Sequence, residues 1–206
     1  CMLNEAGGIL DDLIVYHLAP NQYRLVINAA RTAADLSWLL AQAKNYQVSI
    51  KQRDDFALLA LQGRQARDIL KAALKNSPII AALKPFCVAT LGDYTIATTG
   101  YTGEDGFEIM LPADKAPILW AQLLDLGATP IGLGARDSLR LEAGLNLYGL
   151  DMDETVTPLE SNLAWTVALN PPERAFIGRE ALIAQQEKGI QKNLKAIKLL
   201  DKGMLR

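Results

Sequence analysis

Two adjacent carboxylates stand out first. Asp11-Asp12 follows the glycine pair Gly7-Gly8 and precedes the apolar run Leu13-Ile14-Val15-Tyr16, so at least one carboxylate is held on a short, anchored turn. That placement suits a catalytic acid, although a pair that caps the turn or faces solvent has the same sequence. Side chains of adjacent residues on an extended chain point to opposite faces, so only one of the two is expected in a given pocket. A second stretch, Gly100-Tyr101-Thr102-Gly103-Glu104-Asp105-Gly106-Phe107-Glu108, is glycine-rich but lacks the Gly-Lys-Ser/Thr ending of a phosphate loop and leads into a strand. Within it Glu108 alternates with Phe107 and Ile109, so its carboxylate could project from a fixed backbone towards a ligand or towards solvent. Arg136 and Arg140 lie four apart with Asp137 and Glu142 nearby, which reads as a helix face of surface ion pairs. The neighbouring Leu133, Leu139 and Leu141 argue against a wholly solvated face. They leave room for an arginine that reaches a pocket, where its planar fork suits anionic or carbonyl acceptors.

Composition narrows the chemistry around these residues. With 206 residues, half of them hydrophobic, the chain can bury a substantial core in one or two compact units. Lys+Arg 21 against Asp+Glu 23 gives a net charge of -2 with no basic block, which makes nucleic acid a poor match as primary partner. The single histidine, His17, cannot build a multi-histidine metal site, and Cys1 and Cys87 form neither a CxxC pair nor a disulfide framework. No metal site is expected, and a reducing compartment fits. The longest apolar runs, such as Phe56 to Leu61, are far shorter than a bilayer span of roughly 20 residues. The opening Cys1-Met2-Leu3-Asn4 carries neither an initiator methionine at position 1 nor a targeting pattern, and it reads as a cut start.

The elements that must position the candidate residues follow from periodicity. Leu13 to Tyr16 and Tyr23 to Ile27 form a hairpin around Ala19-Pro20-Asn21-Gln22, and Leu36, Leu39, Leu40 and Ala43 mark a helix ending near Lys44. A strand at 48–51 is expected to return from that helix. Phe56 to Leu61 reads as a buried strand followed by a helix over about 64–74. Strands near 86–91, 94–98 and 107–111 precede a helix near 114–124, and another helix spans about 135–143 and ends at Gly144. A last helix over 179–188 stops at Gly189, and the alternation of Leu194, Ile197 and Leu199 predicts one more strand with an open edge. The expected divisions are 1–52, an α+β layer carrying Asp12; 53–172, a second such layer; and 173–206, the opening of a further domain.

Taken together, three blocks carry a specific likeness. Met2 to Leu13, Gly100 to Glu108, and Gly132-Leu133-Gly134-Ala135-Arg136-Asp137-Ser138-Leu139-Arg140-Leu141-Glu142-Ala143-Gly144 resemble, in order, successive blocks of the glycine-cleavage T-protein family. Asn146-Leu147-Tyr148-Gly149, Met152-Asp153-Glu154, Thr157-Pro158-Leu159 and Ala164-Trp165-Thr166 extend the resemblance over essentially the whole chain.

The resemblance implies an α+β fold of two ferredoxin-like layers with the start of a C-terminal β-rich domain. It also implies an aminomethyltransferase that passes a methylene group from the aminomethyl-lipoyl arm of H-protein to tetrahydrofolate, with release of ammonia. By it, Asp12 takes the position of the catalytic aspartate, and Asn28, Tyr101, Glu108 and Arg136 take folate-pocket positions. The implied partners are lipoylated H-protein and tetrahydrofolate, with no nucleic acid or membrane. The implied compartment is the bacterial cytoplasm or, in a eukaryote, the mitochondrial matrix. A folate-dependent demethylase, an RNA-modification protein or a non-catalytic folate-binding module would share these blocks. Family members carry further N-terminal and C-terminal regions, so the chain is expected to be the central part of a longer parent.

Overall fold

The computed structural model describes residues 1–203; the last three residues of the expected segment 173–206 lie outside the described residues. Mixed α+β architecture is observed, as expected, in two compact units that exchange the chain several times. The first comprises 1–14, 25–46 and 146–206, and the second 15–24 and 47–145.

In the first unit, β1 (Met2–Leu3) pairs antiparallel with β2 (Ile9–Asp11). The turn between them is tied by Asn4, whose Oδ1 accepts the Gly8 N–H at 2.9 Å while its own N–H donates to the Gly8 carbonyl at 2.9 Å. Gly7 sits at φ +84°, and a Cβ on Gly8 would lie 2.0 Å from the Glu154 carbonyl oxygen, so both glycines are required by backbone geometry. A 3-10 turn (Ala29–Arg31) leads into α1 (Thr32–Ala43), and α6 (Arg179–Lys188) follows much later. Leu3, Ile9, Met152, Leu159 and Leu182 form the core of this unit. Tyr148 closes it by donating its hydroxyl to the Ile9 carbonyl at 3.1 Å.

The chain also forms a hairpin of β3 (Ile14–Ala19) and β4 (Gln22–Val26), turning through Asn21 at φ 61°. Asparagine tolerates this left-handed conformation better than most residues.

The second unit is a four-stranded antiparallel sheet in the order β5 (Phe56–Gln62), β8 (Gly106–Pro112), β7 (Tyr94–Ala97), β6 (Val88–Leu91). Its helices are α2 (Ala66–Ala73), the short α3 (Pro78–Ala82), α4 (Ala116–Asp125) and α5 (Leu133–Glu142). Phe107, Ile109 and Leu111 of β8 are fully buried and pack with Leu70, Ile80, Leu119 and Leu123 from the helices. Period-two alternation then sends Glu108 and Met110 to the other face. Glu108 lies opposite Ala60 of β5 and Ala97 of β7, so small side chains flank the carboxylate on both sides.

Three expectations fail locally. Residues 48–51 form no strand: Val48 and Ile50 alternate correctly but stay exposed, because no strand is available to pair with them. Leu194 to Leu199 is likewise not a strand; the Leu194 N–H and carbonyl are taken by the Glu160 carbonyl and the Asn162 amide, and Ile197 remains exposed. Phe56 to Leu61 is a strand, but an edge strand with Leu58 exposed, because it has β8 on one side only. The unanticipated α3 has a helix-start signature in Ser77-Pro78, with proline in the first turn where its missing N–H costs nothing.

The glycine-rich loop before β8 folds around the Gln62 side chain. Gln62 Nε2 donates to the Thr99 and Phe107 carbonyls, both at 3.2 Å, and its Oε1 accepts the Thr102 hydroxyl at 3.3 Å. A Cβ on Gly100 would fall 1.8 Å from Gln62 Oε1, and one on Gly106 would fall 2.5 Å from its Cδ. Gly100→Ala should therefore destabilise the protein by about 1–3 kcal/mol, the usual cost of overpacking. Urea unfolding checks this, and in a Gln62→Ala background, where the clash is removed, the same substitution should cost less than half as much.

Candidate functional site

Asp12 lies just past the end of β2, where strand alternation has ceased, and this changes what the two aspartates can reach. Asn28 occupies the position before the 3-10 turn at which an asparagine side chain usually caps the following helix. Here it caps nothing. Its Nδ2 instead donates to Asp11 Oδ1 at 2.9 Å, Asp12 Oδ1 at 2.9 Å and the Asp12 carbonyl at 3.1 Å, while its backbone N–H donates to Asp11 Oδ2 at 3.1 Å. Both carboxylates therefore meet on one amide, although the two residues are adjacent in the chain. Asp11 is fully buried and half-buried Asp12 is the more accessible of the two. Burial raises the Asp12 carboxyl above its ordinary range, the Asn28 hydrogen bond opposes that rise, and the neighbouring Asp11 charge adds to it.

Behind this pair stands Asp35, in the first turn of α1, with 1% of its side chain exposed. Burial and the facing Asp11 carboxyl push it up to about 7. Arg31 opposes that rise only in part: its Nε forms a long ion pair with Asp35 Oδ1 at 3.9 Å, while the NH2 group binds Glu154 Oε1 at 2.9 Å and the guanidinium lies 5.0 Å over the Tyr148 ring.

In the second unit, Glu108 is anchored by hydroxyls. Its Oε2 accepts from Thr99 at 2.5 Å and from Tyr16 at 3.3 Å, and those two hydroxyl groups lie 2.9 Å apart. Buried Tyr16 is pushed up to about 12, first by burial and then by the Glu108 charge, with the Thr99 hydrogen bond opposing, so the phenol remains a donor. Glu108 Oε1 has no hydrogen-bond donor among the described residues. Tyr101, on the loop around Gln62, lies under the Arg136 guanidinium at 4.7 Å from ring centroid to carbon, which is a cation–π contact that fixes both groups. Arg136 is exposed in the first turn of α5. Arg140, one turn on, is buried and binds Asp137 Oδ1 at 2.8 Å and the Leu145 carbonyl at 3.2 Å, so the two arginines divide into an outward and a structural one.

The expected residues thus fall into Asp12 with Asn28 in the first unit, and Tyr101 with Arg136, and Glu108 on its strand, in the second. The first unit also holds an apolar cleft of about 490 Å³ bordered by Leu3, Leu13, Trp38, Tyr46 and Phe176, and none of the five expected residues lines it. Sequence reading missed Tyr16, Thr99 and Asp35 as supporting groups. Tyr16 had a signal in its place on the hairpin strand, but Asp35, four residues after Arg31, resembles an ordinary helix-surface ion pair.

Residues 1–171 match the GCVT N-terminal domain. The chain belongs to this family. It is 54% identical to an aminomethyltransferase of Alcanivorax borkumensis over 207 aligned residues, covering all of this chain and 56% of that protein. The crystal structure of glycine cleavage system aminomethyltransferase T from Bartonella henselae superposes with a TM-score of 0.82 at 41% identity, covering 91% of this chain and 52% of that one. The chain therefore spans about half the length of these relatives. No helix among the described residues is long and apolar enough to cross a membrane.

Replacing the shared amide by a carboxylate tests the first cluster. Asn28→Asp would set three carboxylates against one another and remove the side-chain donor, so it should cost at least about 2 kcal/mol at neutral pH, the scale of losing hydrogen bonds to charged groups. The carboxyls would hold protons more tightly folded than unfolded, so the variant should regain stability relative to the parent as pH falls towards 5. Thermal unfolding across that range decides it.

Proposed function

We propose that this chain is the folate-handling portion of a glycine-cleavage aminomethyltransferase, acting in a bacterial cytoplasm. The observation that carries the reading, within a chain of this family, is a pair of carboxylates anchored by neutral donors alone, Asp12 on Asn28 and Glu108 on Thr99 and Tyr16. Neither is paired with a lysine or arginine side chain among the described residues, so each keeps its charge for a ligand.

The substrates are tetrahydrofolate and the aminomethyl-lipoyl arm of H-protein, which docks transiently. In the reaction the carbon of the aminomethyl group leaves both its nitrogen and the lipoyl sulfur and becomes the bridge between N5 and N10 of the folate. The aminomethyl group enters protonated as –NH3+, and of the two N–H protons displaced from folate one ends on the sulfur and the other on the departing amine, which leaves as ammonium. Glu108 accepts N–H donors of the pterin in charge-assisted hydrogen bonds, through the oxygen that Thr99 and Tyr16 leave open. Its anchored Oε2 sets the plane and Oε1 remains for the ligand. Arg136, steadied on Tyr101, holds the ring or nearby polar groups. Asn28, at the edge of the heterocycle, orients Asp12. Asp12 stabilises the positive charge that develops as the carbon–nitrogen bond breaks and positions N5 for attack. Because burial weakens screening, a charge there acts more strongly than one in water.

In the full-length parent, Asp12→Asn keeps size and most hydrogen bonding but removes the charge. It should lower turnover about 10²- to 10³-fold with a much smaller effect on folate affinity. Glu108→Gln should do the reverse, weakening folate binding roughly ten- to a hundredfold through the lost charge-assisted contact. Folate titration together with H-protein-dependent ammonia release, run on both variants, separates the two roles. Near-parent turnover in Asp12→Asn would remove it from the centre of the reaction.

A further inference from the structure

The least explained group in the first unit is Asp35. It is buried, and neither of its carboxylate oxygens meets a hydrogen-bond donor among the described residues. An ionised carboxylate in that setting is strongly disfavoured unless paired. The start of α1 favours negative charge, yet no helix N–H reaches the Asp35 oxygens. Arg31 makes only a long ion pair with it at 3.9 Å, because its NH2 group is turned to Glu154 and its guanidinium to Tyr148, and its Nε has no hydrogen-bond partner. What Asp35 does face, within hydrogen-bonding reach, is the fully buried carboxyl of Asp11.

One proton resolves this arrangement. Both Asp11 oxygens already accept from Asn28, through its N–H and its Nδ2. Asp11 is therefore the natural acceptor, and Asp35 the member left to carry hydrogen. We propose that Asp35 is a positioning residue that carries a proton and donates it to Asp11, fixing the carboxylate that aligns Asn28 and, through Asn28, Asp12. The pair then holds one negative charge instead of two, which limits repulsion on Asp12. The groups facing Asp35 are Asp11 from β2 and Arg31 from the 3-10 turn; Asp12 lies beyond Asp11, and Tyr148 and Glu154 lie beyond Arg31. This role rests on the reading of Asp12 as the central carboxylate, whereas the shared proton does not.

The sign of the pH effect follows from the proton being held more tightly in the folded protein. The stability it contributes is complete below the unfolded carboxyl range near about 4 and is lost as pH rises through about 7. The first measurement is the infrared difference spectrum between the chain and its Asp35→Asn variant. A protonated-carboxyl band should be present at pH 5 and fade towards pH 8, and the fall in melting temperature across that interval should flatten in the variant. Absence of the band at pH 5 overturns the proposal.

The second measurement is kinetic, on the full-length parent. Asp35→Asn supplies an amide donor of the same shape and should keep kcat within about threefold, while Asp35→Leu, which cannot donate, should lower kcat about ten- to a hundredfold with folate affinity nearly unchanged. Because the leucine variant could unfold, the carboxyl titration of Asp12 is followed in the asparagine variant also. There Asp12 should titrate as in the parent at pH 5 and lose the parent's upward drift at higher pH. Equal loss of kcat in well-folded Asn and Leu variants, or an unchanged Asp12 titration, rejects the positioning role. A parent that binds no folate and releases no ammonia would defeat the functional reading, while the infrared band would still decide the shared proton.

Discussion

A single amide carries the arrangement of the first unit. Asn28 spends its side-chain donors on three oxygen atoms of Asp11 and Asp12, so two adjacent acidic residues that would repel become two halves of one structure. Everything that brings Asn28 to that point then matters: the tight turn tied by Asn4, the short pairing of β1 with β2, and the 3-10 turn that launches α1. Hydrogen bonds from a neutral group to a carboxylate are stronger than neutral pairs, yet they leave the negative charge in place. A lysine in the same position would orient Asp12 equally well but cancel its field.

The second unit solves the same problem with different groups. Glu108 rises from the face of the sheet opposite the helices, flanked across the ladder by Ala60 and Ala97, and is held by a phenol and a threonine hydroxyl. Burial makes the phenol a poor acid, so it stays a donor, and small flanking residues keep the carboxylate approachable. Buried arginine in this unit is used elsewhere. Arg140 ties the end of α5 to the Leu145 carbonyl, and Arg136 remains outward on Tyr101.

Much of this was readable from the chain alone, for definable reasons. The helix at 179–188 ends where Gly189 stops it, and Glu108 faces away from the helices because strand alternation leaves it no other side. The resemblance of three ordered motif blocks pointed to the family, and the match over residues 1–171 agrees. What could not be read was pairing at a distance. Val48 and Ile50 have a strand's pattern without a neighbour to bond, Leu194 finds isolated hydrogen bonds in place of a ladder, and Asp35 meets Asp11 only after the fold has closed. Local pattern specifies what a segment is able to do, and tertiary contacts decide whether it does so.

The way Gln62 fills the loop before β8 has a bearing on protein engineering. The loop's shape is recorded partly outside its own sequence, in a side chain 37 residues upstream of Thr99. Transplanting Gly100 to Glu108 into another sheet would carry the glycines but leave behind the amide they were shaped to admit. The graft would inherit a hollow where the donor protein has a hydrogen-bonded plug. A faithful transfer has to move the end of β5 together with the loop, and a recombination crossover between those two points would break a unit that no contiguous alignment block reveals.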